Sequence, residues 1–148
     1  MVDMSTALGA LTLPNPVMTA SGCAANGQEL NRFFPVSELG AFVTKTVMAA
    51  PRSGRGTPRM AEPASGMLNS IGLQGPGIDV FLEKDLAWLT DRGARTIVSI
   101  AGGTVDEYAK LAARLRVSEG VAGIEVNISC PNVENRGQVF ACDPDMAA

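Results

Sequence analysis

Short apolar runs alternate with amphipathic stretches along the chain. Runs at 41–44, 96–100 and 122–126 are mostly apolar, as is typical of strands covered on both faces. A shorter run at 17–20 predicts a first inner strand, and weak alternation over residues 1–13 predicts a small β-hairpin.

Helical periodicity fills two of the gaps between these runs. Apolar residues recur at helical spacing within 76–92, and Gly93 is placed to end that helix. The stretch 104–115 has the same period. Thr104 followed by Glu107 predicts a capping box at its start.

Two further helices are predicted nearer the ends of the chain. Residues 27–34 read as a helix with Leu30, Phe33 and Phe34 facing inward, and Asp143-Pro144 reads as the start of another. Helices alternating with strands predict an α/β fold with a parallel sheet and right-handed crossovers.

Residues 46–76 form a long connection, which in a compact domain is usually a functional loop or disorder. Its end, 66–73, is too apolar for disorder and could lay backbone N–H groups against a planar ligand. Arg52, Arg55 and Arg59 either bind an anion, remain solvated or contact a partner chain.

The amino-acid composition excludes some classes of protein and of partner. With 46% hydrophobic and 18% charged residues, the 148-residue chain is globular and long enough for one domain. A net charge of -3 without a basic run disfavours nucleic acid and anionic membranes as partners. No apolar run approaches the roughly 20 residues of a membrane-spanning helix.

The cysteines and the absence of histidine limit the possible catalytic groups and indicate the cellular compartment. Cys23, Cys130 and Cys142 are odd in number and widely spaced, which argues against disulfides and metal sites and favours the cytoplasm. We see no signal peptide. The chain has no histidine, so a general base must be Cys, Asp, Glu, Lys or Tyr.

Polar residues follow the predicted strands where a parallel sheet binds ligands. Lys45 follows the second strand, and Asn127 and Cys130 follow the fourth. Each also has an ordinary structural interpretation: Lys45 as a surface charge, Asn127 as turn punctuation, Cys130 as a small buried apolar residue. For Tyr108 we favour a core role.

Six motifs in order suggest one family. They are PNPVMTASG (14–22), TKT (44–46), PRSGRGTPRMAE (51–62), GMLNSIGLQGPG (66–77), AGGTVDEY (101–108) and NISCPNV (127–133). Together they resemble the class 1 dihydroorotate dehydrogenases, most closely the catalytic subunit of the heterotetrameric, NAD-linked type. The resemblance covers essentially the whole chain.

The resemblance implies a (β/α)8 TIM barrel that binds FMN and oxidises dihydroorotate to orotate in pyrimidine synthesis. Such a barrel takes about 250 residues, so 1–148 would be the N-terminal half of one domain. We therefore expect about half of the barrel, with two unpaired strand edges. The strands that normally bind the flavin phosphate would lie beyond this half. We hypothesise that the chain alone binds FMN weakly and is inactive.

The resemblance also implies roles for individual residues. Cys130 would be the catalytic base for the C5 proton. The implied substrate contacts are Lys45, Asn69, Ser70, Ile71, Gly72, Leu73, Asn127 and Asn132, and the implied flavin contacts are Ala20, Ser21, Lys45, Thr46, Ser99 and Asn127. No metal is implied.

Three positions depart from the family pattern. Ser99 stands where the family often has an asparagine that reaches the flavin, and its shorter side chain puts that contact in doubt. Gly75 replaces an asparagine, and Arg136 replaces a glycine of the loop after Asn132.

The implied partners are dihydroorotate and orotate, a homodimeric core in the full-length enzyme, and a subunit carrying FAD and an iron–sulfur cluster. Fumarate or another electron acceptor stays open. Two other functions also stay open. One is a related flavin barrel acting on another dihydropyrimidine, such as the flavin domain of dihydropyrimidine dehydrogenase. The other is a non-catalytic fragment stabilised by a partner chain.

Overall fold

The computed structural model describes residues 2–131 and 139–148. It begins with the predicted hairpin, in which strand β1 (Thr6–Leu8) pairs antiparallel with β2 (Leu11–Leu13). Gly9 occupies the turn with a φ of 59°, a conformation that glycine adopts without steric cost. Leu13 is buried and joins the hairpin to the main sheet through Ala41, Val43 and Ile97.

A parallel sheet forms the centre of the molecule. Its strands are β3 (Phe42–Val43), β6 (Thr96–Ile100) and β7 (Val121–Val126), in the order β3-β6-β7. Every residue of β6 is buried, which confirms the prediction of a strand covered on both faces.

The predicted first inner strand is largely absent, and 17–20 contributes only a parallel bridge from Met18 to Ala41. The hydroxyl of Thr19 replaces the missing ladder. It donates to the main-chain oxygen of Val43 at 3.0 Å and accepts from the N–H of Val43 at 2.8 Å. Val17 and Met18 are exposed, so little apolar burial favours a longer strand here.

The prediction of a helix over 27–34 was wrong. Only a single 3₁₀ turn forms, at Leu30–Arg32, and Phe33 is 84% exposed instead of facing inward. Ala25 and Gly27 have φ values of 45° and 92°, outside the helical region, and Pro35 follows closely. The few residues between them are too short a stretch to nucleate a stable helix.

A second hairpin forms within residues 46–76, for which the sequence predicts a long loop. Strands β4 (Met60–Ala61) and β5 (Leu68–Asn69) pair antiparallel. A two-way backbone bridge between Arg52 and Gly75 closes the base of this arm. The segment after β5 lines a cleft at the carboxyl edge of the parallel sheet, which places the end of the arm beside that edge.

The helix predicted at 76–92 is continuous but not uniform. It comprises α1 (Ile78–Val80), a π-helical segment (Phe81–Leu86) and α2 (Ala87–Asp91). Gly93, with a φ of 69°, follows its last turn as predicted.

The helix after β6 is α3 (Val105–Arg116), and its predicted capping box is present. The Thr104 hydroxyl accepts from the Glu107 N–H at 3.2 Å, and the Glu107 carboxylate accepts from the Gly103 N–H at 2.7 Å. Tyr108 and its neighbours one turn apart form the buried stripe. A 3₁₀ turn at Phe140–Cys142 and the short α4 (Pro144–Ala147) complete the described chain.

The apolar core lies between the sheet and the helices. It is centred on Phe81, Ile100, Leu111 and Leu115, which are almost completely buried. Within the described residues no further strand pairs with the outer edge of β7, and Val126 is 53% exposed there. The architecture is that of about half of a (β/α)8 barrel, as expected.

Candidate functional site

A cleft of about 870 Å³ opens at the carboxyl edge of the parallel sheet. Four separate stretches of chain contribute to it: the turn after Met18, the end of β3, the hairpin arm and the loop after β7. The lining residues are Ser21, Gly22, Cys23, Lys45, Thr46, Arg55, Met60, Met67, Asn69, Ser70, Ile71, Gly72, Leu73, Asn127, Cys130 and Pro131.

Lys45 is half-buried at the end of β3, and its main-chain N–H donates to the Ala25 oxygen at 3.0 Å. Its amine lies over Gly22, since a Cβ built on that glycine would be 3.7 Å from the Lys45 Nζ. Gly22 has a φ of 82°, so the turn brings bare backbone close to the amine. Lys45 and Gly22 both line the cleft.

Hydroxyl and carboxamide groups beside Lys45 form one connected network. The Thr46 Oγ1 lies 3.0 Å from the Ser99 Oγ and accepts from the Asn127 Nδ2 at 3.3 Å. The Asn127 N–H continues the sheet by donating to the Ile100 oxygen at 2.9 Å. No described residue donates to the Asn127 Oδ1, which leaves an acceptor for a ligand.

The segment after β5 presents backbone donors. Ser70 donates its N–H to the Arg59 oxygen at 2.8 Å, but the N–H groups of Ile71, Gly72 and Leu73 donate to no other described group. Gly72 and Leu73 have φ values of 79° and 53°, and a leucine in this left-handed region is uncommon. Strain of this kind concentrates at binding sites.

Cys130 lies on the loop after β7, half-buried, and lines the cleft together with Pro131. Tyr108 holds the start of this loop from α3, because its hydroxyl donates to the Asn127 oxygen at 2.7 Å. Its ring packs edge-to-face on Phe140, with centroids 5.4 Å apart. Tyr108 is thus a core residue, as predicted, and also fixes one end of the loop that bears the thiol.

The environment of Tyr108 favours its neutral form. Burial raises the pKa of its phenol, and the nearby Cys130 and Glu107 raise it further. A backbone hydrogen bond from Gly102 opposes the shift but is the smaller effect. The phenol therefore remains a hydrogen-bond donor at neutral pH.

The charges around the cleft have one sign. Lys45 and Arg55 are its charged lining groups, and no aspartate or glutamate among the described residues lines it. A second cavity, of about 580 Å³, shares Gly22, Lys45, Thr46 and Ile71 with the cleft and adds Arg52. The combined region suits an anionic ligand.

Most residues singled out from sequence come together here. Two of the expected flavin contacts do not line the cleft: Ala20 is exposed and accepts from the Cys23 N–H, while Ser99 is fully buried beneath Thr46. Asn132 and Arg136 lie outside the described residues. Those that do line it are Ser21, Lys45, Thr46, Asn69, Ser70, Ile71, Gly72, Leu73, Asn127 and Cys130.

Sequence reasoning named Arg55 only as one of three arginines that could bind an anion, and it assigned neither Met60 nor Met67 to the site. All three residues line the cleft. The two methionines belong to the hairpin arm region and are more than half exposed, which is unusual for large apolar side chains. The recognisable signal was their place in a loop too long to be a plain connection.

In the part of the chain that the structure describes, no group of three or more His, Cys, Asp or Glu side chains is arranged to hold a metal ion. No helix there combines the length and the apolar character needed to cross a membrane.

Comparison with known proteins identifies the family. A family model described as dihydroorotate dehydrogenase matches residues 3–148. The dihydroorotate dehydrogenase B (NAD(+)) catalytic subunits of Trichlorobacter lovleyi and Listeria monocytogenes are 49% and 48% identical, over 98% and 93% of this chain. The matches cover 48% and 45% of those proteins, so the chain spans about half the length of these curated relatives.

A solved structure agrees in fold. The crystal structure of DHODH from Eimeria tenella, in complex with ferulenol, aligns with a TM-score of 0.69 at 23% identity. The alignment covers 89% of this chain and 38% of that one. The family match, the identity to the curated relatives and the half-barrel geometry lead to one conclusion: this chain belongs to the dihydroorotate dehydrogenase family.

Proposed function

We propose that the chain supplies the substrate-binding half of the active site of an FMN-dependent dihydroorotate dehydrogenase. The enzyme would oxidise dihydroorotate to orotate for pyrimidine synthesis in the cytoplasm. The observation that carries the proposal is the cleft itself. It combines an ammonium group, a thiol, carboxamides and backbone N–H groups that have no acceptor among the described residues. No described aspartate or glutamate lines it.

Each group has a task that matches its chemistry. The N–H groups of 71–73 and the Lys45 ammonium bind the substrate carboxylate. The carboxamides of Asn69 and Asn127 pair with the donors and acceptors of the pyrimidine ring without adding charge. The Cys130 sulfur, as the thiolate, would accept the proton that leaves C5 of dihydroorotate and become the thiol.

The residues present suit a flavin ring. Its pyrimidine edge carries both donors and acceptors, which Thr46 and Asn127 can match, and the acid-free cleft tolerates its electron-rich reduced form. Ser21 and Lys45 border the same space. When bound, FMN supplies the acceptor for the hydride that leaves C6. Barrels often build their phosphate site near the seventh and eighth strands, and the described chain forms about half of a barrel, so we expect weak flavin binding by this chain alone.

The similarity of this chain to the catalytic subunits of NAD-linked enzymes suggests that the full-length protein binds partner chains. We propose a homodimeric core and a separate electron-transfer subunit that carries FAD and an iron–sulfur cluster. The domain 1–148 would then be one half of a single barrel, whose open edge at β7 the remaining strands cover.

Cys130 is tested in a chimera of residues 1–148 with the remaining length of the T. lovleyi relative. The parent chimera should bind FMN and form orotate. Cys130→Ser should lower turnover at least about a hundredfold, the usual scale of general-base catalysis, while flavin absorbance stays unchanged. Cys142→Ser is the matched control, because that thiol is exposed and away from the cleft. Unchanged turnover in Cys130→Ser would refute the assignment of the base.

A substrate panel separates the related function. Dihydrouracil lacks the carboxylate that the Lys45 ammonium and the N–H groups of 71–73 would bind. If the chimera oxidised dihydrouracil faster than dihydroorotate, the enzyme would be a flavin barrel for another dihydropyrimidine.

A further inference from the structure

Arg55 lies against the backbone segment 71–73, whose N–H groups have no acceptor among the described residues. Its own N–H donates to the Ile71 oxygen at 3.0 Å, which fixes its main chain beside that segment. Its side chain then passes over Gly72: a Cβ built on Gly72 would lie 2.8 Å from the Arg55 Cγ. The absence of a side chain at position 72 therefore makes room for the stem of Arg55.

The three arginines of this loop differ in what they contact. Arg59 donates to the Ser53 oxygen at 3.0 Å and to the Gln74 carboxamide, so it braces the loop. The Arg52 guanidinium lies 3.5 Å from the sulfur of Met48 and borders the neighbouring cavity. The Arg55 guanidinium has no acceptor among the described residues, and Arg55 is the one arginine that lines the cleft.

An anion in the cleft would meet these groups together. Lys45, Arg55 and residues 71–73 all line the cleft. The N–H groups of 71–73 donate to no other described group. No carboxylate of the described lining competes for the guanidinium. A planar guanidinium also suits a planar carboxylate, since it can donate two parallel hydrogen bonds.

We infer that Arg55 is a specificity-determining residue that binds the carboxylate of the pyrimidine ligand. It selects a carboxylated ring, such as orotate, over an uncharged ring of the same shape, such as uracil. The inference deepens the proposed function and rests on it. Arg55 is exposed, so its contribution is modest, and we expect about a fivefold effect on affinity, typical of exposed charge pairs.

The test uses the chimera of residues 1–148 with the remaining length of the T. lovleyi relative, labelled with ¹⁵N and titrated separately with orotate and with uracil; its unsubstituted form is called the wild type. Shifts of the backbone amides of 70–73 report binding at the cleft. The wild type should bind orotate more tightly than uracil. Arg55→Gln should weaken orotate binding about fivefold and leave uracil binding unchanged, while Arg55→Lys should recover part of the loss. Arg32→Gln is the matched control and should change the affinity for neither ligand, because Arg32 is exposed and lines neither cavity.

The outcomes separate the two claims. A wild type that binds neither ligand overturns the proposed function for this chain, and the inference with it. A wild type that prefers orotate, with Arg55→Gln behaving identically, overturns the inference alone. Equal weakening of both ligands by Arg55→Gln also overturns it, because the residue would then only support the shape of the loop.

Discussion

Tyr108→Phe removes one oxygen atom and with it the hydrogen bond of 2.7 Å to the Asn127 main-chain oxygen. The phenyl ring keeps its edge-to-face contact with Phe140, so the packing is preserved. The cost is that of leaving a partly buried carbonyl without its partner, about 1–2 kcal/mol. That loss corresponds to roughly a five- to thirtyfold change in the folding equilibrium.

The same substitution has a pH signature. Burial raises the pKa of Tyr108 above its ordinary value of 10.0, so the unfolded chain loses this proton more readily than the folded chain. The stabilisation is complete below pH 10 and is lost as pH rises through the folded-state pKa. The wild type should therefore lose more stability than Tyr108→Phe at alkaline pH.

Urea unfolding measures both effects, with fluorescence of the single tryptophan, Trp88, as the probe. Phe140→Leu is the matched control, since it removes the ring contact and leaves the phenol in place. Equal stability of Tyr108→Phe and wild type at pH 7, with parallel behaviour above pH 10, would refute the role assigned to the phenol.

Two further substitutions test the backbone geometry at Gly72 and the environment of Asp85. Gly72→Ala places a Cβ 2.8 Å from the Arg55 Cγ and 2.9 Å from its N, at a φ of 79°. It should destabilise the chain by about 1–2 kcal/mol from the backbone conformation alone; a melting temperature equal to that of wild type would contradict this geometry. Asp85→Asn tests a half-buried acid whose pKa partial burial raises above 3.8. Stability that depends on protonated Asp85 is fully present below pH 3.8 and is lost as pH rises through the higher folded-state pKa, so the variant should gain stability relative to wild type as pH rises above 3.8. A constant difference between the two across that rise in pH would show that burial does not affect this carboxyl.

The cleft explains why a half-barrel can carry so much of a binding site. Parallel strands bring their carboxyl ends to one edge, and β3, β6 and β7 do so here. Residues that follow each strand then meet, although Thr46 and Asn127 are 81 positions apart in sequence. The other requirement of the fold, cover for the outer edge of β7, is not met within the described residues.

Local sequence determined the elements whose signals are contained within a few residues. The apolar run of β6, the capping box of Thr104 and Glu107, and the stop at Gly93 all depend on neighbours in the chain. The placement of Lys45 and Cys130 at one edge also followed from sequence, because strand order and parallel direction constrain where strand ends lie. Their chemical roles remain predictions.

Only the tertiary structure decided the remainder, because distant groups replaced local preferences. The Thr19 hydroxyl takes the place of a strand ladder, and left-handed residues before Leu30 prevent a helix. Ser99 lies beneath Thr46 instead of lining the cleft. Arg55 joins the site because a backbone contact with Ile71, 16 positions away, brings its stem against Gly72. Such pairings depend on chain geometry in space, and no periodicity or motif encodes them.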